Sequence, residues 1–173
     1  MTKSTNRMGE SAAGFTLLEV LVAVMVLSIG LLGLASLQVN GLRFNHSAYM
    51  RTQATLLAEE IADRMRANRL GFSANNYNNP TVVEVTACET VAGCTPAQMA
   101  QNDLFRWQQS LANLLPSGQG VVCLDTVTTP PAAAELNSTP AAPSCDGGGT
   151  YAIKIWWDDN RDGVVEQRFV VTL

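Results

Sequence analysis

The chain has 173 residues, a length that allows one modest domain and one additional segment. Its net charge is −4, and an acidic protein is poorly suited to the phosphate backbone, so nucleic acid is not an expected partner. Hydrophobic residues make up 47% of the chain, and much of this excess lies near the N-terminus.

The first predicted element is an uncharged apolar run from Val20 to Leu37, directly preceded by Glu19. About 18 residues at about 1.5 Å each cover about 27 Å, close to the thickness of a bilayer core. Lys3 and Arg7 precede the run and no basic cluster follows it closely, which favours a cytoplasmic N-terminus and an exported C-terminal part. The run therefore predicts a single-pass membrane anchor.

The residues around the start of this run read Gly14-Phe15-Thr16-Leu17-Leu18-Glu19. This motif resembles the processing site of type IV pilins and pseudopilins, with Gly before the cut and Glu five positions into the mature chain. The resemblance implies that a prepilin peptidase removes a leader, residues 1–14, by cutting between Gly14 and Phe15, and that the new amine is methylated. It also implies that Glu19 is the residue of subunit assembly.

Glu19 is informative because a carboxylate is unfavourable in a membrane helix. At the centre of the helix it costs roughly 2.5–3.5 kcal/mol, and less near an interface. A charge kept there needs a partner. Two other interpretations of this region remain open, an ordinary secretory signal and a plain unprocessed anchor. The small residues of Leu34-Ala35-Ser36 could form the cleavage site of a secretory signal peptide. The apolar run, however, exceeds the usual ~7–15 apolar residues of such a peptide.

The apolar run continues into a second helical pattern without a break, because no Pro occurs before residue 80. Gly71 is a good helix stop. We predict one spine helix over residues 15–71, of which 15–38 spans the membrane, followed by a globular domain over residues 72–173. The apolar positions recur at helical spacing in the second half: Leu42, Tyr49, Leu56 or Leu57, Ile61 and Met65.

The remainder predicts an α+β domain in which a second helix accompanies a small antiparallel sheet, an architecture that resembles that of pilins. Thr95-Pro96 reads as an N-cap followed by a first helical residue. This helix is predicted to end by Pro116, with one apolar face made of Ala100, Leu104, Trp107, Leu111 and Leu114.

The predicted strands are separated by long connections. Residues 72–80 are Asn-rich and predict a loop, whereas residues 81–86 alternate weakly and allow a short strand. Residues 128–149 form a long loop rich in Pro, Ala, Ser and Gly. The main strands are predicted at Val121–Val127, Tyr151–Trp157 and Val164–Val171.

Four cysteines follow the apolar run, and an even number in an exported domain predicts two disulfides. Three pairings are possible. We favour Cys88–Cys94, which closes a tight loop, and Cys123–Cys145, which joins the two ends of the long loop. No metal site and no cofactor are expected, because the chain has no Cys-x-x-Cys pair and its only histidine, His46, lies on the spine helix.

The segment Asp158-Asp159-Asn160-Arg161-Asp162-Gly163 has two interpretations. It resembles the opening of a calcium loop, but the closing Glu of such a loop is missing, because Phe169 stands at that position. Asp, Asn and Gly also suit a polar turn between two strands. Strand alternation places Trp156 opposite the apolar face of its strand, so Trp156 is predicted to be the more exposed tryptophan. No nucleophile–base–acid set is evident, and an enzyme is not expected.

Several further segments resemble PilV-type minor pilins, the type IV pilus modification proteins. These segments are Asp103–Gln108, Leu114–Gly118, Gly120–Cys123 and Tyr151–Trp157. The resemblance implies a minor pilin that joins other minor and major pilins to prime assembly, held first in the inner membrane and then in the pilus. Two alternatives remain open: a type II secretion pseudopilin, and a membrane-tethered binding protein or adhesin that does not polymerise.

Overall fold

A computed structural model of the protein describes residues 14, 16–126, 138–165 and 167–173. The chain divides into two compact units, residues 1–45 and residues 46–173. Helix α1, Leu17–Ala67, contributes its first part to one unit and its remainder to the other.

The two parts of α1 have different surroundings. In the first unit every described residue is exposed, so the apolar side chains of α1 there are not covered by other described residues. In the second unit α1 buries one face, at a spacing of three or four residues. The predicted positions Leu42 and Tyr49 are exposed, because the buried face begins only at Met50. The buried residues are Met50, Ala54, Leu57, Ala58, Ile61, Ala62 and Met65.

The predicted end of the spine at Gly71 was wrong. Helix α1 ends at Ala67, and a short helix α2, Arg69–Ser73, follows at once. Asn68 separates the two, because its side-chain oxygen accepts a hydrogen bond from the Gly71 N–H at 3.1 Å and caps α2. Gly71 lies inside α2, where a Cβ atom would overlap the Asn68 side chain, so this glycine serves close packing and not termination.

The possible strand at residues 81–86 was also wrong. Residues 81–85 are irregular, and a 3₁₀ helix occupies Thr86–Glu89. The backbone N–H of Val85 donates to Asn102 Oδ1 at 3.0 Å. This segment therefore bonds to a side chain of the next helix, and it is not part of the sheet.

Helix α3, Pro96–Leu114, begins where the sequence predicted, with Thr95 and Gln98 forming a reciprocal capping box. Trp107 joins α3 to α1, because its indole N–H donates to the Leu57 carbonyl at 2.8 Å. Leu114 is 48% exposed, contrary to the prediction. The backbone becomes extended at Leu115, and this residue takes the buried position instead.

Three antiparallel strands form one sheet in the order β1-β2-β3, which confirms the α+β prediction. Their bounds are Gln119–Asp125 for β1, Thr150–Trp157 for β2 and Gln167–Thr172 for β3. Strand β1 begins two residues earlier than predicted, and it ends at Asp125, before the predicted end, because Thr126 is not in the strand. Residue 127 lies outside the described residues. Strand β3 begins later than predicted, since residues 164 and 165 belong to the preceding turn.

Strand β2 is buried on both faces. Its Tyr151, Ile153, Ile155 and Trp157 row packs in the core with α1 and α3. The prediction that Trp156 is exposed was wrong, because Trp156 is 2% exposed and its indole N–H donates to the Ser138 carbonyl at 3.1 Å. Ser138, near the middle of the long loop, therefore lies over the face that sequence alternation alone assigned to solvent.

Candidate assembly and processing site

The N-terminal motif forms the start of α1. The Thr16 carbonyl accepts hydrogen bonds from the N–H groups of Glu19 at 3.0 Å and Val20 at 3.3 Å. The Thr16 hydroxyl oxygen lies 3.2 Å from the Glu19 nitrogen and caps the helix. Because α1 begins at Leu17, Glu19 occupies the third helical position. Thr16-x-x-Glu19 thus has capping-box spacing, a signal that our sequence analysis missed.

This position gives the Glu19 carboxylate a favourable field. The unpaired N–H groups of a helix start carry partial positive charge, which stabilises an anion in the first turn. Glu19 is also the only charged residue between Leu17 and Leu42. The site therefore combines one fixed negative charge with an otherwise apolar surface.

That apolar surface is long enough and apolar enough to cross a membrane. Its side chains are open to lipid or to another helix, with exposed fractions of 83% at Leu17 and 72% at Leu32. Gly30 and Gly33 lie within the uninterrupted helix, and neither has a neighbouring atom where a Cβ would stand. The subunit by itself thus gives no packing reason for these side chains.

The predicted processing residues stand just before this helix. Gly14 is exposed, and a Cβ atom there would meet no atom within 4 Å. Packing against the described residues therefore does not require glycine at this position. Phe15 lies outside the described residues.

The cysteines of the second unit form two disulfides, Cys88–Cys94 and Cys123–Cys145. These are the two pairings that the sequence analysis favoured. Their Cα atoms are 4.8 Å and 6.1 Å apart. The first bridge closes a short loop next to the start of α3, and the second attaches the end of the long loop to β1.

A buried ion pair beneath that long loop was not predicted. Lys154 is fully buried, and its ammonium group bonds to Asp125 Oδ2 and to the carbonyl of Pro143 at 2.8 Å. Asp125 Oδ1 accepts from the N–H groups of Thr126 at 3.0 Å and Asp146 at 3.2 Å. The sequence does show a lysine among the apolar residues of β2, which is a signal for a buried charge. The partner of Lys154 could not be found in this way, because it depends on the register of the strands.

A second polar cluster joins the end of α1 to α3. The Tyr77 hydroxyl donates to Asp103 Oδ2 at 2.6 Å and accepts from the Asn68 amide at 3.1 Å, while Arg64 lies 3.6 Å from Asp103. Burial, and then the hydrogen bond to Asp103, raise the pKa of Tyr77 well above its usual value. Burial also raises the pKa of Tyr151. Both groups stabilise the fold in their neutral form.

The candidate calcium segment is a polar turn between β2 and β3. The Asp158 carboxylate accepts from the N–H groups of Arg161 at 2.6 Å and Gly163 at 2.8 Å, and Asp162 accepts from Val164 at 2.8 Å. Through these hydrogen bonds Asp158 and Asp162 stabilise the backbone of the turn, which explains why Asp occurs at these positions. Within the described residues no three His, Cys, Asp or Glu side chains are placed to hold a metal. His46 is half-buried, with Nε2 3.5 Å from Arg161 Nη2.

Comparison with known families finds two matches, which cover adjacent stretches of the chain. Residues 11–35 match the model of the prokaryotic N-terminal methylation motif, and residues 36–105 match the model of type IV pilin Tt1218. The chain belongs to the type IV pilin family. No curated protein and no solved structure matches it. As a pilin, the protein is anchored in the membrane by the apolar part of α1 and is then incorporated in the pilus.

The family membership has two consequences for the site. Type IV pilins are structural and not enzymatic proteins. The methylation motif also implies that a prepilin peptidase processes this pilin and that it assembles with other pilins.

Proposed function

We propose that this pilin is a minor subunit of a type IV pilus, of the PilV type, that primes assembly and enters the filament with other minor and major pilins. The observation that carries the proposal is the single carboxylate of Glu19 at the start of an exposed apolar helix. A tether or an adhesin that stays in the membrane gains nothing from a charge there, whereas an assembling subunit gains a specific contact.

The minor-pilin role rests on the resemblance of four segments, and their placement in the fold supports treating them as one unit. Trp107 and Leu111 of α3 pack where a Cβ at Gly120 would otherwise stand, and Gln108 Nε2 donates to the Gly120 carbonyl at 3.3 Å. The Asp158 N–H donates to the Pro116 carbonyl at 2.9 Å. The resembling segments of α3 and β1 thus contact each other through Trp107, Gln108 and Gly120.

We further propose the roles that the motif implies for individual residues. The leader, residues 1–14, is cut between Gly14 and Phe15, and the amine of Phe15 is methylated. The mature spine, residues 15–71, spans the membrane over 15–38 and carries the globular domain, residues 72–173. Glu19 then compensates the cationic amine of Phe15, in its own chain or in a neighbouring subunit, within an apolar filament core.

A deletion strain separates this proposal from its main rival, the type II secretion pseudopilin. The minor-pilin role predicts at least a tenfold loss of surface pili, with secreted enzyme levels unchanged. Full-length protein restores the pili. Normal piliation combined with a secretion defect would transfer the chain to the pseudopilin class. A tethered adhesin predicts that neither process changes and that sheared pili contain no trace of the chain.

A further inference from the structure

The two edges of the sheet differ in how they are covered. The outer edge of β1 is bonded to a nearby loop, since the Asn79 N–H donates to the Val122 carbonyl at 2.8 Å and the Leu124 N–H donates to Asn78 Oδ1 at 2.9 Å. The other edge of the sheet is β3, which pairs with β2 on one side. Such an edge presents a row of backbone donors and acceptors.

The register identifies the backbone groups on this edge. The Leu173 N–H donates to the Tyr151 carbonyl at 2.9 Å, so these two residues form a hydrogen-bonded antiparallel pair. Hydrogen-bonded and non-hydrogen-bonded pairs alternate along such a ladder. Val170 and Thr172 lie opposite Lys154 and Ala152 in the alternate class. Their N–H and C=O groups therefore point away from β2.

Among the described residues these groups are open, and the strand lacks two of the usual protections of an edge, Pro and Lys. In the described parts of the chain, no hydrogen bond reaches the outward N–H or C=O of Val170 or Thr172. Residues 167–172 contain no Pro and no Lys, and Phe, Val and Thr favour strands. The Arg168 guanidinium donates to Ser138 Oγ at 2.8 Å, on the long-loop side of the sheet.

We propose that β3 accepts an extended segment of a neighbouring pilin as a fourth strand. This proposal rests on the proposed function, because it requires assembly with other pilins. Only an extended backbone matches open N–H and C=O groups at every second residue. Phe169 and Val171 face the core but are only half-buried, so the added segment would place apolar side chains beside them.

The partner is another pilin and not the β3 strand of a second copy. A β3–β3 pair would be isologous, would use the edge of both copies and would close at a dimer. A filament grows through heterologous contacts, in which an edge meets a different surface of its neighbour. The added segment therefore comes from a region other than β3.

A backbone-specific substitution tests the proposal. In Val170→Pro the lost N–H is the outward one, so the ladder to β2 is retained, whereas Val170→Thr keeps the N–H and the β-branched shape. At equal membrane levels of full-length protein with both disulfides formed, we expect Val170→Pro to enter sheared pili about tenfold less than Val170→Thr. Equal entry of the two variants would overturn the proposal. Absence of the wild-type chain from pili would instead refute the proposed function.

A cross-linking experiment decides the matter even where Val170→Pro fails to fold. A benzophenone side chain replaces Thr172, which is exposed on the edge, and in a control it replaces the fully exposed Val91 of the Cys88–Cys94 loop. Illumination of piliated cells should give an adduct at position 172, at least fivefold above that at position 91, with a pilin peptide identified by mass spectrometry. A homodimer joined through β3, or equal labelling at both positions, would contradict the proposal.

Discussion

The two parts of helix α1 show how one continuous element serves two environments. From Leu17 to Asn45 every described side chain is exposed although most are apolar, whereas from Met50 to Met65 one face is buried against the domain. The second part is explained by the subunit itself. The first part is not explained by the subunit, because its exposed apolar side chains are unfavourable in water. They require lipid or other pilin helices around them. One stretch of the helix is therefore packed within the subunit, and the other leaves its apolar side chains exposed.

This comparison is tested most strongly by Glu19→Ala, with Glu19→Gln as a matched variant that keeps the size of the side chain. We expect both variants to insert in the membrane and to be processed, because neither the apolar run nor Gly14 changes. On the proposed role of Glu19, loss of the carboxylate would leave the cationic amine of Phe15 unpaired in an apolar core. Entry into pili should fall at least tenfold, measured by immunoblot of sheared pili at equal membrane levels.

The thermal unfolding of the domain serves as the control for Glu19→Ala. The carboxylate lies in the unit of residues 1–45, so the melting temperature of the second unit should stay within about 1 °C of wild type. Normal entry of both variants into pili would remove Glu19 from assembly.

The next largest effect concerns the buried pair of the domain. Asp125→Ala leaves the fully buried Lys154 without its carboxylate, which should lower the free energy of unfolding by about 3–5 kcal/mol. Replacing both residues, as in Asp125→Leu with Lys154→Met, should recover most of this loss, because a well-packed apolar pair requires no charge compensation. Denaturant titration in detergent measures both. A loss below about 1 kcal/mol for Asp125→Ala would show that the ammonium group is hydrated.

The disulfides should contribute less than the ion pair, and unequally. On the chain-entropy model, the bridge that spans 22 residues in sequence contributes about 3 kcal/mol and the one that spans 6 contributes about 2 kcal/mol. Alanine pairs replacing Cys123 with Cys145, and Cys88 with Cys94, should rank in that order in denaturant titration. The reverse order would indicate that the short loop has a specific structural role next to α3.

The smallest effect depends on pH. The pKa of Tyr77 is raised in the fold, so above about pH 10 the unfolded chain loses the phenolic proton while the folded protein keeps it. Stability from this group is fully present below pH 10 and falls at higher pH, by at most about 1.4 kcal/mol per unit. Tyr77→Phe should lose about 1 kcal/mol at pH 7 and show a shallower alkaline decline. An identical decline in both proteins would assign it to other groups.

Prediction from the sequence succeeded where the pattern is local. The spine helix, the capped start of α3 and the three strands follow from periodicity and turn residues, and the disulfide pairing follows from the loop that it closes. The errors lie where a contact between residues that are distant in sequence determines the local structure or the burial of a side chain. Asn68 ends α1 because its amide reaches Tyr77 and the Pro96 carbonyl, at 3.1 Å and 2.8 Å. Trp156 is buried because the loop at Ser138 returns across the sheet. Neither contact is visible in a sequence window.

The functional site and the buried ion pair also differ in how far the sequence predicts them. The motif of the site, the single carboxylate and the apolar run were readable from sequence, because a membrane span needs only composition and length. The capping by Thr16 was readable as well but was missed. The pair of Lys154 with Asp125 was not readable, since it depends on the register of β1 against β2 and on the loop that covers both.

The most direct test of the account is the N-terminal peptide of the chain recovered from sheared pili. Mass spectrometry should find a peptide that begins at Phe15 and carries a methylated amine. That result would establish both cleavage after Gly14 and entry of the processed spine into the filament. A chain that begins near Ser36 or Leu37 would instead indicate a secretory signal, and it would remove the exposed half of α1, with Glu19, from the mature protein.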